Sequence, residues 1–156
     1  MFRKMRRIKQ QLSDNECIQI LRDESRGILS VLGDDDYPYG IPLNYVYTNE
    51  KIIFHSALEG HMYDSVKKHE KVSFCVINKG EKVENQWWYI FKSVILFGKI
   101  KEITDENERK NKLRILGNKY FPSEDYTEDE ITKAFERTLV LEMSIEHMTG
   151  KIVTEK

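Results

Sequence analysis

The sequence predicts a mainly-β domain of the α+β class, a small antiparallel barrel of about six strands with peripheral helices. Two observations lead to this fold. Short β-branched and aromatic runs alternate with turn signals, which is typical of strands that pair as consecutive hairpins. The helical patterns are few, short and amphipathic, so they fit on the outside of a sheet. A barrel closes its own edges, and 156 residues are enough to bury its core, so we expect one domain over residues 1–156.

Composition and charge exclude several classes of protein. The chain is 40% apolar, 33% charged and 11% aromatic, which argues against disorder and low-complexity repeats. It has no apolar run near the roughly 20 residues of a membrane span, so we expect no membrane partner. The net charge of −1 gives no general attraction to nucleic acid. The N-terminal arm, residues 1–11, carries five basic side chains that we expect to be solvated, and nucleic-acid binding is not favoured.

The basic arm has no apolar segment behind it, so it does not resemble a signal peptide. Cys17 and Cys75 are far apart and lack C-x-x-C spacing, which indicates reduced core residues rather than a disulfide or a redox motif. We therefore expect a cytoplasmic protein.

The first half of the chain predicts a helix and then strands. Ser13 and Glu16 form a capping box that opens an amphipathic helix over 13–24. The hydrophobic period then changes to that of strands, with turns at 33–36 and 49–50. The predicted elements that follow are strands over 26–32, 39–48 and 51–56, a short helix over 60–69 and a strand over 71–77.

The second half predicts a long strand and two further helices. The elements are, in chain order, a polar loop over 78–86, a long strand over 87–103, helices over 105–119 and 127–136, and a strand over 138–145. Gly98 suits a bend or a close backbone approach inside the long strand. Thr127 and Glu130 form a second capping box, which is expected to open the last helix.

The strand end at Ser56 and the helix start at Gly60 and His61 form the main candidate site. Backbone N–H groups at a helix N-terminus, with a hydroxyl beside them, are the donors that a phosphate group needs. Lys92 and Lys151 add positive charge from other strands. On spacing alone, a plain surface histidine at a helix start is the more common explanation of His61.

Metal binding and nucleophilic catalysis lack a signature in this sequence. The four histidines and two cysteines match no compact zinc spacing. Neither Ser56 nor Ser93 lies in a G-x-S-x-G elbow, and Cys75 is predicted to be buried. We therefore predict no metal site and do not favour hydrolase chemistry.

Five ordered blocks across residues 3–151 carry a resemblance to a known family. They are RGILSVLGDDDYPYGIPLNYVY, KIIFHSALEGH, KVSFCV, WWYIFKSVILFGKI and IEHMTGK. With these blocks the chain resembles the FMN-binding split-barrel family related to pyridoxamine 5′-phosphate oxidase, and within it the nitroimidazole-resistance (Nim) type. The resemblance implies a six-stranded antiparallel split β-barrel with peripheral helices. It also implies a homodimer with an FMN at each of two sites between the subunits.

The resemblance further implies which residues hold the cofactor. The isoalloxazine ring would lie along Pro42, Leu43 and Asn44. The ring edge and the ribityl chain would be bordered by His55, Ser56 and Ala57. The phosphate would lie by Gly60, His61 and Met62. Two more blocks match the basic-Ser-Val block and the C-terminal Gly-Lys of the family: Lys92, Ser93 and Val94; Gly150 and Lys151.

This chain departs from its relatives at two points. Relatives commonly have Lys after the helix-start His, where this chain has Met62, so the phosphate would depend more on His61, Ser56 and Lys67 or Lys68. The chain ends in GKIVTEK instead of the basic segment that grips a substrate phosphate in the pyridoxamine oxidases. We therefore do not predict pyridoxamine phosphate oxidation.

The function that the resemblance implies is FMN-dependent reduction of a small electron-poor substrate, such as a 5-nitroimidazole. The electron donor would be NAD(P)H or a reduced carrier protein. His55 is the candidate catalytic residue, because an imidazole at the ring edge can deliver a proton or a hydrogen bond as electrons arrive; binding the cofactor or a neighbouring strand is an equal alternative. A non-catalytic FMN store or sensor and a haem-binding split barrel are the alternative functions.

Overall fold

The computed structural model describes residues 1–155, which form four α-helices and eight strands. The helices are α1 (Asp14–Asp23), α2 (His61–Lys68), α3 (Glu106–Tyr120) and α4 (Glu124–Ala134). The strands are β1 (Arg26–Leu32), β2 (Pro38–Asn44), β3 (Val46–Thr48), β4 (Lys51–Ala57), β5 (Lys71–Ile77), β6 (Glu81–Lys82), β7 (Tyr89–Glu102) and β8 (Thr138–Thr154). No helix within residues 1–155 combines the length and the apolar composition that crossing a membrane requires.

The strands form one antiparallel sheet that curls on itself. Its order is β2-β1-β5-β7-β8-β4-β3, and β6 pairs with β7 beside this path. The strands at the two ends of the order, β2 and β3, are consecutive in the chain and are joined by Tyr45. A single residue therefore connects the two edges of the sheet, which makes the sheet curl into a barrel.

The single strand predicted over 39–48 is wrong, because the chain changes its pairing partner at Tyr45. The Tyr45 N–H donates to the Tyr120 hydroxyl at 2.8 Å, and the Tyr45 ring is fully buried, edge-on to Phe74. This switch allows β2 to pair with β1 while β3 pairs with β4.

The hairpin of β7 and β8 runs through the middle of the sheet. The prediction for β8 was too short, since the strand continues to Thr154 instead of ending at residue 145. The pairing register shifts at Gly98, which inserts Glu146 as an extra residue in β8 and reverses which side chains face the barrel interior. The predicted bend at Gly98 is confirmed: a Cβ there would lie 2.0 Å from the Ser144 carbonyl oxygen, so only glycine fits.

The barrel interior holds the main hydrophobic core. Phe54 and Phe74 are fully buried and pack edge to face with 5.1 Å between ring centroids. Leu21 of α1 and Val66 of α2 belong to the same cluster, so both helices pack on the barrel. Removing these apolar side chains from water is the main source of stability for the fold.

The two predicted capping boxes have different outcomes. The first is confirmed, because the Ser13 side chain accepts from the Glu16 N–H and the Glu16 carboxylate accepts from the Ser13 N–H. The second is wrong: α4 begins at Glu124, and Ser123 caps it. Thr127 lies inside the helix, where its hydroxyl donates to the Ser123 carbonyl at 3.2 Å.

The α3–α4 hairpin (residues 106–134) covers the outer face of β4 and β8. Leu113, Leu116 and Phe135 pack there on Ile53 and Val140, which point away from the barrel interior. The middle of these two strands is therefore buried on both faces. The outer face of β1, β5 and β7 is different, because apolar side chains are exposed on it: Ile28, Ile77, Ile95 and Phe97.

The two cysteines are free, but only one is a core residue. Cys17 is buried against Gly150, and burial raises the pKa of its thiol to about 11. Cys75 lies half-buried on the outer face of β5, so its predicted place in the core is wrong. Desolvation also raises the pKa of Cys75, and both thiols are therefore protonated and unreactive at neutral pH.

Glu142 of β8 is a fully buried carboxylate on the outer face of the sheet. Its oxygens lie 2.5 Å from Lys51 Nζ and 3.1 Å from Lys112 Nζ, so it ties α3 to β4 and β8. Burial alone would raise the pKa of this carboxyl. The hydrogen bonds and charges of the two lysines together outweigh burial and hold the pKa below its ordinary value.

We expect Glu142→Gln to lower the free energy of unfolding by about 2–4 kcal/mol at neutral pH, because it leaves two lysines beside a buried neutral amide. Since the folded pKa is lowered, the contribution of Glu142 is present above pH 4.5 and is lost as the pH falls through the folded value. Urea unfolding across this range measures both effects. The control is Glu146→Gln on the same strand, which is exposed. Equal stability of the two variants would contradict the prediction.

Candidate functional site

The outer edge of β2 faces the end of β4 and the start of α2, and this boundary is here called the seam. The pairing order leaves this edge of β2 without a strand partner, although β2 and β4 contact each other. Three of the predicted cofactor blocks border the seam: 42–44 on β2, 55–57 on β4, and 60–62 at the start of α2. The unpaired backbone of β2 offers hydrogen-bonding groups along its length.

The N-terminus of α2 forms one end of the seam. Gly60 precedes the helix with φ 131°, a conformation that other residues rarely adopt, and a Cβ there would meet nothing within 4 Å. No side chain caps the helix, so the N–H groups of its first turn are available to a ligand. An open, uncapped helix N-terminus suits an anion such as phosphate.

His61 is held by the β1–β2 hairpin. Its Nε2 accepts a hydrogen bond from the Asp34 N–H at 3.2 Å, and its ring stacks on Tyr39 with 4.3 Å between centroids. His61 therefore connects β2 to α2 across the seam.

A polar cavity of about 420 Å³ lies beside His61 and is lined by Asp34, His61, Asp64, Lys67 and Lys68. Lys67 Nζ lies 2.9 Å from the Asp64 carboxylate, and Lys68 Nζ lies 3.4 Å from that of Asp34. An anion in this cavity would compete with the two exposed carboxylates for contact with the lysines. Exposed pairs of this kind are worth at most about 1 kcal/mol, so a phosphate can displace them.

Three of the predicted residues point away from the seam. Met62 and Leu43 pack against the hydrophobic core of the barrel. Ser56 lies on the same face of β4 as Phe54, and its hydroxyl donates to the Ala57 carbonyl at 3.1 Å. The donors that remain near the phosphate end are the backbone of α2, His61 and the two lysines.

His55 and Asn44 line a second cavity, on the outer face of the sheet at the other end of the seam. This cavity has a volume of about 340 Å³ and lies beneath the α3–α4 hairpin. His55 alternates with Phe54 and Ser56 along β4, so its imidazole faces the helices rather than the barrel. The ring is accessible from the cavity, yet the surrounding protein desolvates it and lowers the pKa of His55 below its ordinary 6.5.

The remaining predicted residues lie together on the β7–β8 hairpin, next to α1. Lys92 Nζ is 3.5 Å from the Glu16 carboxylate, and Ser93 pairs with Lys151 across the strands. Val94 is buried opposite Gly150, where a Cβ would lie 2.3 Å from the Cys17 sulfur. The glycine is therefore required for packing α1 on β8.

These residues are far from His55 in the same chain. His55 pairs with Val140 of β8, and ten residues of extended strand, roughly 33 Å, separate Val140 from Gly150. Along the curled sheet, Pro42 is four strands from Thr149 through Ile28, Cys75 and Ile95, a path of roughly 19 Å. One chain thus places the predicted residues in two separate groups, one along the seam and one beside α1.

Sequence reasoning missed the residues that complete each cavity. The sequence predicts the helix over 105–119, but nothing local shows that the face with Leu113 and Leu116 covers His55. Tyr39 and Asp34 were assigned only to a strand and a turn, yet they hold His61. Within residues 1–155, no three His, Cys, Asp or Glu side chains lie close enough together to hold a metal ion.

We expect the His55 imidazole to titrate below pH 6.5 in the folded protein, because the protein around the ring partly desolvates its charged form. As the pH falls, the imidazole of His55 takes up a proton in the unfolded chain before it does so in the folded protein. The stability that neutral His55 contributes is therefore present above pH 6.5 and is lost as the pH falls below that value. Histidine NMR signals, assigned with His55→Gln, measure the titration. The denatured chain serves as the reference, and equal folded and denatured values would contradict this prediction.

Several solved structures share this fold. A candidate 5-nitroimidazole antibiotic resistance protein from Bacteroides thetaiotaomicron superposes with a TM-score of 0.78 and 19% identity, covering 92% of this chain and 87% of the other. An FAD-binding protein from Mesorhizobium loti gives 0.70 and 21%, covering 92% and 97%. An FAD and haem binding protein from Mycobacterium smegmatis gives 0.76 and 15%, covering 94% and 74%. These likenesses confirm the predicted split-barrel fold.

The family follows from a comparison of sequences. No curated protein matches the chain with significant similarity. A family model described as pyridoxamine 5′-phosphate oxidase matches residues 13–152, which is nearly the whole length and includes all of the predicted site residues. With this match and the split barrel that carries it, the chain belongs to the pyridoxamine 5′-phosphate oxidase family.

Proposed function

We propose that the protein is an FMN-dependent oxidoreductase that reduces small electron-poor molecules, such as 5-nitroimidazoles. The observation that carries the proposal is the seam, which has an uncapped helix N-terminus at one end and a partly desolvated histidine at the other. Tyr39 stacks on His61 and Asn44 lines the cavity of His55, so five residues of β2, roughly 17 Å, connect the two ends. A ligand with a phosphate and a flat ring fits this layout.

The phosphate end would be held by the chain's own donors. FMN carries a phosphate of about −1.5 to −2 charge, which the N–H groups of α2 and the positive end of its dipole stabilise. Lys67 and Lys68 would turn from Asp64 and Asp34 toward the phosphate. Since Met62 is packed in the core, this chain would use those lysines where relatives commonly have one after the histidine.

The ring end would place His55 next to the substrate. Bound flavin would supply the electrons, two for each reduction step. A neutral imidazole has one donor and one acceptor nitrogen, so His55 can hydrogen-bond a polar group of the substrate. Once it takes a proton from solvent, its lowered pKa makes it a ready proton donor.

A second copy of the chain would complete the site. The outer face of β1, β5 and β7 exposes Ile28, Ile95 and Phe97, and such a patch favours an interface. Ser93 and Lys151 lie on this face, far from the seam of their own chain. A homodimer formed through this face would bring the Lys92 to Lys151 group of one chain to the seam of the other. The proposal is therefore a homodimer with two FMN sites between subunits.

Purified protein should show flavin absorption with one FMN per chain, because each seam would hold one phosphate and one ring. The spectrum, and chromatography of the cofactor released on denaturation, measure this. FAD in place of FMN would change the cofactor assignment, and a haem Soret band or an unbound flavin would contradict the proposal.

His55→Gln should slow reoxidation of the reduced protein by a nitroimidazole by at least about tenfold, while FMN affinity changes by less than about threefold. Stopped-flow absorbance measures the rates. The exposed His69, changed to Gln, is the matched control. If FMN binds but neither variant nor wild type passes electrons on, a storage or sensor role replaces catalysis.

A site shared between chains predicts rescue by subunit mixing. His61→Ala and Lys92→Ala should each weaken FMN binding by about 1–3 kcal/mol as homodimers. A mixed dimer carries both changes at one site and neither at the other, so half of the FMN binding should return. Differently tagged chains, purified as mixed dimers and titrated with FMN, measure the recovery. No recovery would place the whole site within one chain.

A further inference from the structure

The cavity beneath the α3–α4 hairpin is large enough to hold a small molecule. Its volume of about 340 Å³ is within the range of small-molecule sites, roughly 300–1,000 Å³. Its floor is the outer face of β4 and the end of β2. The residues that line it are Asn44, His55, Leu113, Leu116, Gly117, Tyr120, Phe121, Glu130, Ile131, Ala134, Phe135 and Thr138.

Most of the polar atoms on the wall already have partners. The Tyr120 hydroxyl contacts the Tyr45 backbone, and the Thr138 hydroxyl donates to the Ala134 carbonyl at 2.8 Å. The side-chain oxygen of Asn44, Oδ1, accepts from Arg26 Nε at 3.2 Å, which leaves the side-chain amide N–H groups of Asn44 free to donate. A ligand would therefore meet a mostly apolar wall, with hydrogen-bond donors from Asn44 and one donor and one acceptor nitrogen from His55.

The wall carries no positive charge. Among the lining residues, all of which lie in the described chain, Glu130 is the only one with a formal charge at neutral pH, and Lys133 pairs with it at 3.0 Å. Arg109 is close to Phe135, but its guanidinium stacks on that ring and donates to the carbonyls of Phe135 and Thr138. Arg26 and Lys133 are each held by a lining side chain, Asn44 and Glu130, and no lysine or arginine is itself part of the wall. An anion in this cavity would therefore lose its hydration without a cation on the wall to contact, which is costly.

The two ends of the seam therefore suit opposite chemistry. The cavity at His61 has an open helix N-terminus and two lysines, each beside an exposed aspartate that a phosphate can displace. The cavity at His55 has mostly apolar walls and one carboxylate, which is paired with Lys133. A molecule with a phosphate belongs at the first end, and an uncharged ring compound belongs at the second.

From this contrast we infer that the cavity beneath the α3–α4 hairpin is a substrate pocket that selects uncharged, largely apolar ring compounds and rejects phosphorylated or carboxylated ones. Its role as a substrate pocket rests on the proposed function, whereas its preference for an uncharged ring ligand does not. Specificity then lies in α3 and α4, outside the barrel.

A pair of fluorescent probes tests the inference without any turnover. N-phenyl-1-naphthylamine is uncharged, and 8-anilinonaphthalene-1-sulfonate has the same rings with a sulfonate. We expect the uncharged probe to bind at least about tenfold more tightly, because the sulfonate would be desolvated beside Glu130. Equal affinity, or preference for the sulfonate, would overturn the inference.

Variants locate the probe in the cavity. Ala134→Phe fills it and should weaken the uncharged probe at least about tenfold, while FMN affinity stays within about twofold. Thr132→Phe on the same helix is exposed and serves as the matched control. Ile131→Phe is a second filling variant if the first does not fold.

Three outcomes would contradict the inference. Probe binding unchanged by both filling variants would place the probe elsewhere, and its loss in Ile95→Glu would identify the exposed sheet face instead. Loss of FMN together with the probe would make the cavity part of the cofactor site. If wild-type protein binds the probe as expected but no flavin, then the proposed function fails and the ligand preference of the cavity stands.

Discussion

The hydrogen bonds between β7 and β8 connect the two halves of the sheet, because β5, β1 and β2 follow on one side and β4 and β3 on the other. This pairing also sets where the functional groups lie. One end of the hairpin packs against α1 and carries Lys92 and Lys151, and the other end supports His55 and α3. A hairpin of this length keeps the two groups apart along β7 and β8 of one chain.

The two faces of the curled sheet are buried in different ways. Inside, the rings of Phe54, Phe74 and Tyr45 form one apolar core. Outside, β4 and β8 are covered by α3 and α4, and the buried Glu142 holds this layer through lysines on both sides. The price of burying that carboxylate is offset only while both lysines remain in place. The geometry of the cavity above His55 therefore depends on an ion pair outside it.

Much of the fold could be predicted from the sequence, because strand alternation, the turns at 33–36 and 49–50 and the capping box at Ser13 are local signals. The errors have tertiary causes. Tyr45 interrupts a strand because Tyr120, far along the chain, takes its N–H, and Thr127 imitates a helix cap because its hydroxyl bonds back to Ser123. The candidate cofactor residues were predicted from the resemblance to a known family. Their division into two distant groups, and the helices above His55, follow from packing that no short segment encodes.

The segment from 103 to 137, which holds α3 and α4, can vary in length and sequence without changing the sheet. It leaves the sheet after Glu102 and returns at Thr138, and Glu102 pairs with Leu141, so the departure and return points are neighbours in space. An excursion of this kind can lengthen, shorten or be exchanged without altering the register of the hairpin beneath it. The barrel tolerates no such freedom at Glu146, where one deleted residue would turn the rest of β8 inside out. New ligand preferences can thus arise in the excursion while the barrel beneath it keeps its pairing.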